Sequence, residues 1–520
     1  MPTTSTENSS DSMKYWWIGI LLATCVGTAA RFADLGGQSF WYDEAYSARI
    51  AEQATTWELW TGLRKDNGNP PLYYMAHRWA VSVFGTSEAG QRTLAALCGV
   101  LTIPLIGLLG RRIAQQWAGL IAAWLFALSP LSVELSNEAR TYSMVHLAVT
   151  LSALLFIRWL STMRWSDGVA YLLVTAAACY LHYFVVFFIM SQALAVVVVP
   201  QRSRAVWRWC VLMLGVAAIW SCWVLAFLEQ VTTPGNLSRM GDAWKMQFAS
   251  TPVVFSVGRT FAWRDAGPWL LGAAALISLI GFCLPALLGW WKVIRTQPAE
   301  GVFLAGWIVL PVLLPLLVAV LLSPIYHHRY GSVGLPAFLI LTAIGLGYLS
   351  QWMRPIAVTA IVVGTAFSLT NYYTQPLKDD WRSAAHVVLT GANENQCVLA
   401  DQDSEVLPLL YYARRQGVVP RELYGLNTAE ESQGRLRAVR YDAGRKLDAD
   451  FTDYTDRILQ SPRICLALCV PSQSLETHRE FFERHGYRLV DEQQFYRVTI
   501  AQFERSPEVE IFADNEPRSR

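Results

Sequence analysis

The run Phe40-Trp41-Tyr42-Asp43-Glu44-Ala45-Tyr46-Ser47-Ala48-Arg49 places two adjacent carboxylates directly after the first apolar segment of the chain. A carboxylate at such a point stands in water beside the lipid boundary, where it can accept a proton while a lipid-borne molecule is held nearby. Asp43 is therefore the candidate general base. The plainer role is an N-cap for an amphipathic helix over residues 44–53, ordinary work for Asp.

Further chemistry-bearing residues recur in short polar stretches between apolar runs. These are Asn69-Pro70-Pro71, Glu138-Ala139-Arg140-Thr141-Tyr142, His182-Tyr183, His327-His328-Arg329-Tyr330 and Lys378-Asp379-Asp380-Trp381-Arg382. An ionisable group at membrane depth costs about 2.5–3.5 kcal/mol unless it is paired or faces a watery cavity, so their convergence on one face would define a site. Each also has a structural role open to it. Glu138 and Arg140 can form an ion pair at a helix end, His182 can be a hydrogen-bonded interface residue, and Lys378 to Asp380 can be a charged linker. Trp41, Tyr42, Tyr46, Trp57 and Trp60 suit an interfacial aromatic belt or a platform for a sugar. His327, His328 and Arg329 put cationic groups where the positive-inside bias disfavours them, and an anionic ligand such as a lipid phosphate accounts for that.

The elements that must carry these residues are membrane helices. Of 520 residues, 53% are hydrophobic and 16% charged, with the charges crowded into the last third. That composition describes a polytopic α-helical membrane protein with a soluble tail. A net charge of +2 gives no reason to invoke nucleic acid. Residues 1–14 read as a disordered cytoplasmic segment. Residues 15–33 are a true span rather than a signal peptide, because no small-residue cleavage site precedes Arg31.

Apolar runs place spans at 15–33, 93–110, 117–135, 142–160, 169–183, 184–199, 206–228, 268–291, 302–322, 333–349 and 356–372, about eleven in all. Residues 70–84 are apolar enough to imitate another. Leu72, Met75, Ala76, Trp79 and Val83 share one helical stripe, however, and Tyr74, His77, Arg78 and Ser82 the opposite one. This is an amphipathic helix lying in the interface. Omitting it from the count puts every short basic loop on the side of Lys14, as the positive-inside rule requires. The run 169–199 then folds as a hairpin with His182 at its outer tip, and everything from residue 374 lies outside.

The tail reads as a small α/β domain, with helices over 381–390, 405–414 and 475–485 and strands over 397–400, 464–470, 487–490 and 494–502. Of the nine cysteines, Cys25, Cys98, Cys179, Cys210, Cys222 and Cys283 lie in apolar runs and read as packing residues. Cys465 and Cys469 are too far apart along one strand to pair, so at most Cys397 bridges one of them. No zinc-type ligand spacing occurs.

In order, Tyr42-Asp43-Glu44-Ala45, Asn69-Pro70-Pro71-Leu72-Tyr73-Tyr74, Gly110-Arg111-Arg112, Leu128-Ser129-Pro130 with Glu138 to Ser143, His182-Tyr183 and Lys378 to Arg382 form a set spread over most of the membrane part. This set resembles the GT-C superfamily of membrane glycosyltransferases. Within it the likeness is to the bacterial family 39 enzymes, relatives of protein O-mannosyltransferases and of the lipid A aminoarabinose transferase.

The resemblance implies a GT-C domain over 15–373, with juxtamembrane helices in a first outer loop at 34–92. An extracytoplasmic domain over 374–505 and a flexible tail at 506–520 complete the expected layout. It also implies an enzyme of the hexosyl- or pentosyltransferase class in the cytoplasmic membrane, taking a polyprenyl-phosphate sugar as donor and a glycan, lipid or protein as acceptor. By position Asp43 matches the acidic catalytic base, and Glu44, Arg140, His182, Arg329 and Tyr330 match pocket or phosphate-binding positions. Glu138, Tyr142 and His327 complete the expected substrate-binding set. No cofactor is required by the sequence, although Asp43, Glu44 and Glu138 have the hard oxygen ligands that a divalent cation takes.

Competing functions are a lipid or sugar transporter or flippase, a non-enzymatic assembly protein anchored by its spans, and a polysaccharide polymerase or ligase using a lipid-diphosphate donor. A transporter favours internal repeats and charges within spans. No repeat is evident, and the ionisable residues gather at loops, with His146 the main exception.

Overall fold

The computed structural model describes residues 4–52, 55–65, 69–200, 202–232, 243–260, 267–322, 325–390, 396–418, 420, 422–427, 435–442, 445–448, 450–469 and 473–506. The chain forms two compact units, one of Met1–Gly36 with Ile50–Gln375 and one of Gly37–Arg49 with Pro376–Arg520. The expected flexible tail from 507 onward lies outside the described residues.

The first unit is helical. Among the described residues, eight helices are long and apolar enough to cross a membrane. A bent pair, Gln116–Leu128 with Pro130–Ser136, and two shorter apolar helices, Trp165–Cys179 and Val185–Val198, join them. Each of the eleven expected spans falls on one of these helices. At the amino end the expectation fails, because the first helix already begins at Thr4 and runs to Phe32 rather than following a disordered segment. Once the apolar run has nucleated a helix, extending it backwards adds a hydrogen bond per residue, and no Gly or Pro intervenes after Pro2 to stop it.

Two local devices shape this unit around the site. Ser129-Pro130 breaks a span by 56°, since proline cannot continue the ladder, and Ser129 Oγ accepts from Ser132 N at 3.4 Å to start the next helix. The carbonyls freed at the end of Gln116–Leu128 are claimed by Arg31, which is fully buried. Its guanidinium donates to Ala127 O at 2.9 Å, Phe126 O at 3.2 Å and Ser132 Oγ at 2.8 Å. A cation at a helix C-terminus is favourable, and here it also satisfies backbone acceptors that lipid could not. Elsewhere small residues allow close helix approach: a Cβ added at Gly345 would strike Pro285 O, and one at Gly289 would strike Leu341 O.

Three juxtamembrane helices occupy the loop after the first span: Tyr42–Ala51, Thr56–Lys65 and Leu72–Phe84. The second opens with a capping box, in which Glu58 Oε2 accepts from Thr55 N at 3.0 Å and Thr55 Oγ1 from Glu58 N at 3.1 Å. On the third, Tyr73, Tyr74, His77 and Ala80 are buried, whereas Met75, Trp79 and Val83 are exposed. Met75, Trp79 and Val83 of the apolar stripe thus face outward, while Tyr74 and His77 of the opposite stripe face inward and Ser82 is exposed, an orientation that suits a helix whose outer surface is lipid.

The second unit is built on one mixed sheet in the order β4-β3-β2-β1-β6-β8-β7. Its strands are β1 (Gln396–Ala400), β2 (Glu422–Leu426), β3 (Arg437–Asp442), β4 (Arg445–Lys446), β5 (Thr452–Asp453, paired with β3), β6 (Arg463–Cys469), β7 (Tyr487–Phe495) and β8 (Val498–Arg505). β1 pairs in parallel with both β2 and β6, and helices Trp381–Thr390, Val406–Gln416 and Gln473–Arg484 accompany the sheet. The expected strand over 494–502 straddles a hairpin, because β7 and β8 turn at Tyr496-Arg497 with Arg497 at φ 59°. No Asn-Gly announces that turn, which hid it. All nine cysteines are free thiols, so Cys397 bridges neither Cys465 nor Cys469.

Candidate functional site

The bend at Ser129-Pro130 carries the chain into Pro130–Ser136, a helix whose seven residues are all buried. It leads to Glu138, which is fully buried. A buried carboxylate requires compensating charge. Arg329 Nη2 supplies it at 3.1 Å and Arg259 Nη2 at 3.3 Å, both on Oε1. Arg259 Nη2 also meets Glu134 Oε1. Arg140 lies on the same segment and donates from Nη1 to Tyr74 OH at 3.3 Å. Arg140, Arg259 and Arg329 against Glu134 and Glu138 are three positive groups to two negative ones, a surplus of one positive charge within this set.

Arg329 is held by its own short turn, the helix His328–Gly331, where His327 Nδ1 accepts from Arg329 N at 3.1 Å. Burial and the neighbouring Arg329 and Arg259 charges push the His327 pKa well below its usual value, so His327 is neutral at physiological pH.

An aromatic wall adjoins the cations. The His182 ring lies 5.1 Å from that of Tyr330 and 5.9 Å from that of Tyr142, and the Tyr142 and Tyr330 rings are 6.3 Å apart. His182 is buried, and its Nδ1 accepts from Phe184 N at 3.1 Å. Burial first, then the charge of Arg140, lowers its pKa to about 3. The ring is therefore neutral, and because Nδ1 accepts, Nε2 carries the proton. Among the described residues, that Nε2 has no hydrogen-bond partner. A buried donor left open beside surplus positive charge is a place for an acceptor oxygen of an anion or a polyol.

Glu138, Arg140, Tyr142, His182, His327, Arg329 and Tyr330 all belong to this unit, and several make the contacts just given. Sequence reasoning missed Arg259 and Glu134. Arg259 lies in no recognisable motif, and Glu134 sits inside an apolar run, where an unpaired acid was itself a signal.

Asp43 and Glu44 lie in the other compact unit. The helix Tyr42–Ala51 begins one residue before Asp43, which places Asp43 inside the first turn rather than at the N-cap position. Glu44 is fully buried and bound by Lys378 Nζ at 2.8 Å. Among the described residues no three His, Cys, Asp or Glu side chains are grouped as a metal site. Glu44 is engaged by Lys378, and Glu138 by two arginines.

Residues 68–226 match the family described as dolichyl-phosphate-mannose-protein mannosyltransferase. No curated protein matches the chain in sequence. In structure the chain is similar to ArnT from Cupriavidus metallidurans in the apo state, at 14% identity with a TM-score of 0.59, over 94% of this chain and 97% of that one. It is similar to the same protein bound to undecaprenyl phosphate, at 14% identity with a TM-score of 0.55, over 94% and 98%. It also resembles the oligosaccharyltransferase AglB from Archaeoglobus fulgidus in complex with an inhibitory peptide and a dolichol-phosphate, at 12% identity with a TM-score of 0.50, over 77% of this chain and 64% of that one. The chain is a multi-pass membrane protein with the GT-C fold.

Proposed function

We propose that this protein is an integral membrane glycosyltransferase, of the hexosyl- or pentosyltransferase class, that uses a polyprenyl-phosphate sugar as donor. It works at the outer face of the cytoplasmic membrane, with its amino terminus inside and its tail domain outside. The acceptor is a hydroxyl of a glycan, lipid or protein. The observation that carries this reading is the buried Glu138 and Arg329 with the partly exposed Arg259, beside the open Nε2–H of His182, chemistry suited to a phosphate and the sugar it bears. The undecaprenyl phosphate and dolichol-phosphate bound to two proteins of like fold support a lipid phosphate as ligand.

In the reaction, the acceptor oxygen attacks the anomeric carbon while its proton passes to the Asp43 carboxylate. The bond from that carbon to the phosphate oxygen breaks, and polyprenyl phosphate leaves on the opposite side with the electron pair. One displacement inverts the anomeric configuration. Arg329, Arg259 and Arg140 are preorganised to take up charge as it develops on the leaving phosphate. Tyr142, Tyr330, His182 and His327 border the sugar. Glu138 holds the arginines in place rather than touching substrate.

The test is transfer from a panel of undecaprenyl-phosphate sugars in reconstituted vesicles, comparing wild type with Asp43→Asn. Transfer should fall by about 10²–10⁴-fold while undecaprenyl phosphate binding persists. Unchanged transfer in Asp43→Asn overturns the base assignment. Activity only with lipid-diphosphate sugars makes the protein a polymerase or ligase, and movement of lipid across the vesicle without transfer makes it a flippase.

A further inference from the structure

The segment bearing Asp43 is built onto the tail domain. Residues 37–49 follow the first membrane helix in sequence, yet they pack with residues 376–520 as one compact unit. Phe40 N donates to Tyr412 OH at 2.8 Å, and the Phe40 ring stacks on Tyr411 at 4.6 Å. Arg382 closes the same strap, with its N donating to Ser39 Oγ at 3.3 Å and Nη1 to Gly37 O at 3.2 Å. At the head of the helix Tyr42–Ala51, Lys378 Nζ stands 2.8 Å from Glu44 Oε2, with the lysine side chain 10% exposed and the glutamate fully buried.

We propose that Lys378 is a positioning residue for the reaction, holding Asp43 in place through Glu44, so that the tail domain is the mount on which the base is set. This rests on the reading of Asp43 as the base. Consecutive residues on a helix are separated by a fixed rotation of about 100°, so anchoring the Glu44 side chain to one partner fixes the direction in which Asp43 projects. A carboxylate buried without a cation is strongly disfavoured, and loss of Lys378 would drive Glu44 toward water and turn the helix with it. The Phe40 and Arg382 contacts hold the approach to the helix, and the Lys378 contact to Glu44 adds a constraint on its rotation. A misplacement of about 1 Å at a reacting group is enough to cost about 100-fold in rate.

Two measurements on the full-length protein in vesicles test this. The first is the rate at which a membrane-impermeant maleimide labels Asp43→Cys, read at that residue by mass spectrometry, alone and combined with Lys378→Met or Lys378→Arg. Lys378→Met should change the rate by about tenfold, and Lys378→Arg should leave it within about twofold. The second is transfer from whichever undecaprenyl-phosphate sugar the wild type uses. Lys378→Met should lower kcat by about 100-fold with KM for donor within about threefold, Lys378→Arg should restore most of the rate, and the exchange Glu44→Lys with Lys378→Glu should recover part of it.

Unchanged labelling together with unchanged kcat overturns the proposal. So does a fall in kcat without a change in labelling, which would give Lys378 a different part in the reaction. Should Lys378→Met fail to fold, as judged by loss of undecaprenyl phosphate binding, the arginine variant and the charge exchange decide. Unaffected transfer in Asp43→Asn would remove the base reading while the labelling result still stood, so the two failures are told apart.

Discussion

Arg329 Nη2 lies 3.1 Å from Glu138 Oε1 within the membrane unit, although the two residues come from loops far apart in sequence. Arg259 reaches the same oxygen at 3.3 Å. One carboxylate thus gathers two guanidiniums that would otherwise repel each other, and with Arg140 nearby the set holds one positive charge more than Glu134 and Glu138 offset.

Removing Arg329 leaves Glu138 buried with only part of its compensation. Arg329→Ala should destabilise the protein by about 3 kcal/mol, the lower end of the range for a broken buried pair, because Arg259 remains. Thermal unfolding in detergent measures this. Undecaprenyl phosphate binding should weaken as well, and Arg329→Lys should recover stability better than binding, since an ammonium lacks the planar fork. Equal recovery of both would argue that Arg329 touches no phosphate.

His182 makes stability depend on pH with a definite sign. Its pKa is about 3 when folded, against an ordinary value of 6.5. Between these values the unfolded chain binds the extra proton, so stability should fall as pH drops, by up to about 1.4 kcal/mol per unit below pH 6.5. Above pH 6.5 His182 contributes no slope. A His182→Phe variant should lose this part of the acid sensitivity, as followed by denaturation midpoints from pH 7 to pH 4.

Glu405 in the tail domain acts with the opposite sign. Burial and the nearby Asp401 raise its pKa well above the usual carboxylate value, even though Cys469 N donates to Oε1 at 3.1 Å. The folded state therefore binds the proton more tightly. The stability this contributes is complete below pH 4.5 and is lost as pH rises through the elevated folded pKa. Glu405→Gln should flatten that decline and stabilise the protein near neutrality, visible as a higher unfolding temperature at pH 7 than at pH 4.5 relative to wild type.

Gly345 and Pro285 set the spacing of two membrane helices, since a Cβ at Gly345 would overlap Pro285 O. Gly345→Leu should cost at least about 1–3 kcal/mol through overpacking, read as a lowered unfolding temperature and reduced yield of folded protein. A variant as stable as wild type would mean that the helices separate freely.

Much of the fold is carried by local pattern. The eleven apolar runs, the amphipathic stripe over 72–84 and the main tail strands follow from burial acting on short stretches, where period and composition suffice. Strands β2 to β5 escaped notice: β4 and β5 are two residues each, β3 carries three charged residues in six, and β2 is a five-residue run interrupted by Gly425, so their strand character is set by pairing with neighbours. The amino-terminal helix was missed for a related reason, as its first turns extend an element nucleated further along.

The sequence by itself determined which residue types stand at the loops: Glu138, Arg140, His182 and Arg329 are identifiable there because polar groups are costly beside lipid. Only the tertiary structure decided who partners whom. Arg259 joined Glu134 and Glu138, and Lys378 took Glu44, across separations that no periodicity encodes. The physical reason is that a buried charge is neutralised by whichever opposite charge the packed backbones bring within reach, and that reach is set by the whole fold rather than by the neighbours in sequence.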